Sequence, residues 1–172
     1  MACNQTLAGL VNDCSSSMGG IKHVWLADYV DNAAGVDSAT TEVTGFTSAA
    51  TWHKYYFRKN TASMTSTLNI DDANGVNYVS TELALVFSKM DTTKRIEMAA
   101  LATADVMAVV EDANGVRYFL GEENPVACTA GGGETGTAKG DGNRYTLTLT
   151  DENKSYPRII AASVELNEAS NA

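Results

Sequence analysis

The stretch MTSTLNIDDANGVNYVSTELALVF, residues 64–87, decides the fold. Apolar and polar residues alternate on both sides of Asn74-Gly75, the pattern of a half-buried antiparallel strand pair. Asn-Gly between extended runs predicts a two-residue type I′ turn, whose central residues both need φ > 0. Glycine adopts that conformation freely and asparagine tolerates it. Centring the turn there pairs Ala73 with Val76, Ile70 with Val79, Leu68 with Thr81 and Met64 with Leu85. Met64, Leu68, Ile70, Val79, Leu83, Leu85 and Phe87 then share one face. Thr65, Thr67, Asn69, Asp71, Tyr78, Ser80 and Glu82 share the other, which is rich in hydroxyls and acids and has no basic residue.

The same turn motif returns forty residues later, as DANGVRY (112–118) after DANGVNY (72–78). Around the second copy Val109, Val110, Phe119 and Leu120 leave neither face polar, so this ribbon is expected to be the more deeply buried of the two. Asp112 is expected opposite Arg117 beside the turn. Similarity fades beyond the motif, and no repeat architecture follows from it.

Further strands are expected over IKHVWLADYV (21–30), near 41–46, over WHKYYFRKN (52–60), over RYTLTLT (144–150) and over RIIAASVEL (158–166). Asp91 is the expected N-cap of one short helix, with Ile96, Ala99 and Ala100 as its packing stripe and Lys94, Arg95 and Glu97 in water. GEENPVACTAGGGETGTAKGDGN (121–143) reads as a loop, and NEASNA (167–172) as a frayed tail. The expected organisation is an N-terminal arm, 1–20, and a single β-rich domain, 21–172. The fold class is mainly β: an antiparallel β-sandwich or half-barrel with one flanking α-helix.

At 172 residues the chain is long enough for a real core. No run approaches a membrane span and no signal peptide is visible, so the expectation is a protein made or assembled in a cytoplasm, with no membrane partner. Cys3, Cys14 and Cys128 are too few and too scattered for a disulfide framework. They match no zinc spacing with His23 and His53. The net charge of −9 argues against a phosphate-binding surface. The nearest basic cluster, Lys54, Arg58 and Lys59, reads as a solvated strand face. An acidic wall can instead repel phosphates and let DNA slide past without specific binding.

Gly131, Gly133 and Gly136 form a formal G-x-G-x-x-G, but no helix is expected after it, so a dinucleotide site is not expected. Thr137 stands where a P-loop needs lysine. Gly131, Gly132, Gly133, Thr135, Gly136 and Lys139 read instead as an interface loop. Asp71-Asp72 and Asp141-Gly-Asn143 lack EF-hand spacing, and turn chemistry accounts for them. No catalytic, cofactor or metal constellation is expected, and the chain does not read as an enzyme.

From Gly115 onward, GVRYFLGEENPVACTAGGGETGTAKGDGNRYTLTLTDENKSYPRII resembles small structural proteins of tailed phages of Bacteroides and related bacteria, crAss-like phages among them. MACNQTLAGLVNDC and MGGIKHVWLADY resemble their N termini. The resemblance implies a tail-tube or tail-ring subunit of the virion that self-assembles into hexameric rings and contacts adjacent tail or connector proteins. Under it, the Thr65–Glu82 polar face would line the DNA conduit or join subunits. The alternative is a β-rich binding module for capsid decoration or host recognition.

Overall fold

A computed structural model describes residues 9–12, 14–47 and 50–169. Two antiparallel sheets pack face to face. The first runs β11 (Arg158–Ile159), β8 (Arg117–Leu120), β7 (Val106–Asp112), β1 (Ile21–Asp28), β4 (His53–Tyr55). The second runs β5 (Ala62–Asp71), β6 (Val76–Ser88), β10 (Arg144–Asn153), β9 (Ala127–Glu134). A small ribbon, β2 (Ala34–Val36) with β3 (Val43–Phe46), and one helix, α1 (Thr92–Leu101), complete the fold. The expected mainly-β sandwich with a single flanking helix is what forms; the sheets do not close into a barrel.

The core lies in two layers, because β1, β7 and β8 are apolar on both faces. Val24, Leu26, Val106, Ala108, Val110 and Leu120 meet Leu83, Leu85, Leu147 and Leu149 between the sheets. Trp25, Ala27, Met107, Val109 and Phe119 point the other way, under Val43, Trp52, Ile160 and Val164. Burying each such aliphatic side chain contributes roughly 1.5–3 kcal/mol. The second ribbon is therefore the central, doubly covered one, as its pattern requires. The first ribbon is covered on one face, with Val79, Leu83, Leu85 and Phe87 buried.

Both turns differ from the expected type I′. Only the glycine of each pair has φ > 0, Gly75 at 66° and Gly115 at 86°. The reason is the aspartate that opens each loop. Asp71 Oδ1 accepts from the N–H of Ala73 and Asn74, and Asp112 Oδ1 from that of Asn114 and Val116. This Asx capping keeps asparagine right-handed and lengthens the loop. In the first hairpin Asp71 pairs with Val76, Leu68 with Val79 and Met64 with Leu83. The register moves by two residues, so both expected faces survive intact. In the second, Glu111 rather than Asp112 faces Arg117. The Arg117 guanidinium turns away from the turn and donates to the carbonyls of Ala161, Ala162 and Val164.

Several elements are shorter than their apolar pattern suggested. The aromatic stretch 52–60 gives only β4, and 158–166 only β11, after which Ile160 bridges Val43. The end of the chain is not frayed as far as 169: Trp52 N–H donates to Asn167 O and Ala169 N–H to Trp52 O. Asp91 does cap α1, accepting from the Lys94 N–H at 2.9 Å. The helix stripe differs from expectation. Leu101 is buried and Met98 packs on the core, while Ile96 is 59% exposed.

Candidate functional surface

Residues 121–143 do not form the loop that their composition suggests. The glycine run is a strand, β9, paired to β10 with one irregularity at Thr129: Gly131 opposes Leu147, Gly132 opposes Thr146 and Gly133 opposes Tyr145. Glycine carries no strand signal in sequence because it has no side chain to pack. Here close approach explains it. A Cβ on Gly133 would sit 2.9 Å from Met90 Cε and from the Tyr145 ring. Gly131, Gly132 and Gly133 thus belong to a sheet edge. Thr135, Gly136 and Lys139 lie in the following turn, which Asp141 organises by accepting from the N–H of Thr137 and Ala138. Those two bonds hold the Asp141 carboxyl below the usual carboxylate range.

Thr65, Thr67, Asn69, Asp71, Tyr78, Ser80 and Glu82 do share one face, the outer face of the second sheet. That face is wider than the hairpin. Strand β10 lies beside β6 and adds Thr146 opposite Val86, Thr148 opposite Ala84, Thr150 opposite Glu82 and Glu152 opposite Ser80. Thr129 of β9 reaches Thr150, hydroxyl to hydroxyl, at 2.7 Å. The outer face is therefore a lawn of hydroxyls with Asp71, Glu82, Glu134 and Glu152 on it. Its cation, Arg144, is tied to Glu134 across the β9–β10 pair. The alternation in RYTLTLT carries the signal for these threonines, but nothing local places them beside the first hairpin.

Other ionisable groups are structural. Asp151 is buried on the inner side of β10, where desolvation pushes its carboxyl up to about 6, helped by Glu122 and Glu152. It accepts from the Gly121 N–H and from the Asn153 amide, while Asn153 Oδ1 accepts from the N–H of Glu123 and Asn124. The pair straps the 121–124 turn to the C-terminal end of β10. Arg158 clamps Glu122 through Nε, at 2.6 and 2.7 Å.

A cavity of about 250 Å³ lies between β1, β4 and α1, lined by Asp28, His53, Tyr55, Glu97 and small apolar residues. Burial and the hydrogen bond it donates to Glu97 push the Tyr55 phenol strongly up, so it stays protonated. Burial, then Lys54, lowers the His23 imidazole. Lys54 rests over the Trp25 ring, 5.0 Å from its centroid, so the basic cluster is partly spent on packing. Among the described residues no three His, Cys, Asp or Glu side chains are placed to hold a metal ion. No described helix is long and apolar enough to cross a membrane.

Comparison with protein-family models and with curated proteins found no match.

Proposed function

We propose that this chain is a non-enzymatic structural subunit of a phage virion, of the tail-tube or tail-ring type, assembling with copies of itself around a DNA conduit. The observation that supports this reading is the four-stranded outer face, hydroxylic and acidic, with its Arg144 ion-paired. Such a face offers phosphates no anchor, as a conduit wall requires. Among the described residues, nothing pairs with the two edges of the sheet that carries it, β5 and β9. An open edge invites pairing with another chain, and ring closure removes both at once. The resemblance of the segment after Gly115 to phage tail subunits gives the class.

The experiment is light scattering and negative-stain microscopy of the full chain over a concentration series. Rings or tubes are the expected outcome. Within them a cysteine placed at Thr148 becomes inaccessible to a bulky polymer maleimide while still reacting with a small one. A compact monomer that binds a ligand, or rings with Thr148→Cys freely reactive on their outside, overturns the reading.

The reading as a decoration or host-recognition module is favoured by one observation. Beyond the core the first hairpin continues uncovered, with Leu68, Ile70 and Val76 exposed at its end. A projecting apolar end suits a docking contact. It predicts a monomer or trimer whose partner binding is lost on Ile70→Ser.

A further inference from the structure

The glycines of β9 leave a notch in the sandwich. Residues opposite one another across the β9–β10 ladder share a face, so Gly131 and Gly133 lie on the inner face with Leu147 and Tyr145. Where Gly131 supplies no side chain, a groove of about 450 Å³ opens between α1 and the β9 edge. Met98, Ala99 and Ala102 form its helix side, and Cys128, Gly131 and Leu147 its sheet side. No charged residue lines it.

The chain also carries an apolar segment without a seat. Leu10 and Val11 of the N-terminal arm are fully exposed. Asp13 is the single charge between residues 9 and 20. The arm is rooted on the β7–β8 turn, where Met18 bonds Asn114 and Ala113 bonds Gly20, beside the opposite edge of the second sheet. Its last residues, 17–21, line a cavity with Ala62, Ser63 and Met64 at the start of β5. Strand β5 is one edge and β9 the other, three strand spacings or about 14 Å apart. From Met18, Leu10 can lie about 26 Å out. When the β5 edge of one copy approaches the β9 edge of the next, the arm emerges over the neighbour's groove.

We infer that Leu10 and Val11 of one copy fill the α1–β9 groove of a second copy. The contact is heterologous, one edge of the sheet to the other, so it propagates from copy to copy and closes only as a ring. It seats two aliphatic side chains in an uncharged groove and covers the edge that β9 leaves open. The inference rests on the self-assembly part of the proposed function and is silent on what passes through the assembly.

Two of the chain's own cysteines report on it. Cys14 is three residues from Val11, about 10 Å along an extended arm, and Cys128 lines the groove. The test mixes two full-length chains, both Cys3→Ser. One keeps only Cys14 (Cys128→Ser) and the other only Cys128 (Cys14→Ser). A bis-maleimide spanning about 13 Å is added at assembly concentration. The expected product is the mixed Cys14–Cys128 dimer, at least tenfold above either like-with-like dimer. Leu10→Ser with Val11→Ser, exposed positions that leave the fold intact, abolishes it. Gly131→Leu, which fills the groove, abolishes it from the other side while circular dichroism stays that of a folded sheet protein. In a chain keeping both cysteines, cross-linking within one copy in place of a ladder overturns the inference. Rings or tubes that form without the mixed dimer also overturn it, and leave the ring reading standing. A monomer at every concentration overturns both.

Discussion

The Asn114 side-chain amide pairs with the Met18 main chain in both directions. Met18 N–H donates to Asn114 Oδ1 at 2.9 Å, and Asn114 Nδ2 donates to Met18 O at 3.0 Å. Ala113 N–H adds a bond to Gly20 O. The amide of Asn74, at the same place in the other copy of the motif, bonds the Asp71 carboxylate of its own loop. One turn fastens the arm to the domain; the other ends a free hairpin.

Asn114→Ala should release residues 14–20. Each lost hydrogen bond is worth roughly 0.5–1.5 kcal/mol, and the turn keeps its Asp112 cap and its glycine. The expected outcome is fast amide exchange or proteolysis within 14–20 at nearly unchanged melting temperature. Asn74→Ala should leave the arm protected. Equal arm protection in the two variants would refute the anchoring role.

Asp151 makes stability depend on pH in a stated direction. Its folded pKa, about 6, lies above that of an unfolded aspartate, near 3.9. The folded chain therefore holds the proton more tightly. This contribution is fully present below about pH 4 and is lost as pH rises through about 6. Asp151→Asn keeps an acceptor for the Gly121 N–H and removes the buried charge. It should raise the melting temperature at pH 7.5, by an amount corresponding to about 1–3 kcal/mol, and flatten the profile between pH 4 and 6. A variant less stable than the parent at pH 7.5 would contradict the assignment.

Arg117 holds the chain after β11 by three carbonyls. Bonds from a charged donor are worth about 1.5–3 kcal/mol in such settings, and a guanidinium reaches several acceptors at once where an ammonium cannot. Arg117→Lys should lower stability nearly as far as Arg117→Ala and speed amide exchange over 160–166. Full rescue by lysine would show that charge alone matters.

Two glycines one step apart on the same face of β9 should behave differently. A Cβ on Gly131 meets its nearest atom, the Thr146 carbonyl oxygen, at 3.4 Å; one on Gly133 meets Met90 and Tyr145 at 2.9 Å. Gly131→Ala should be neutral or stabilising, by about 0.5 kcal/mol, because a strand glycine loses more conformational entropy than alanine. Gly133→Ala should cost about 1–3 kcal/mol through displaced side chains. Chemical denaturation of the two variants checks the order.

Legibility followed the side chains. Alternation through Met64–Phe87 is enough to place the polar face although neither turn is type I′, because a register shift of two residues returns every side chain to its own face. The Asp91 cap fixed the start of α1 because capping is a contact within four residues. The helix's packing stripe is not legible in the sequence, since which face is covered depends on Tyr55 of β4, distant in sequence, and on how the end of β6 turns Phe87, against which Lys94, Glu97, Met98 and Leu101 enclose a small cavity.

The sequence by itself determined a mainly β chain, two hairpins of different burial, one capped helix and a hydroxylic, acidic strand face, because each follows from periodicity, turn chemistry and composition read locally. Only the tertiary structure decided that the glycine run is an edge strand, that the threonines of β10 widen the hairpin's face, and that half-buried Arg117 and buried Asp151 are fasteners. Those outcomes depend on which strand lies next to which. Glycine carries no pattern, and the partners of β10 stand 10 to 23 residues away in β9 and 56 to 74 away in β6, so nothing local could record the choice.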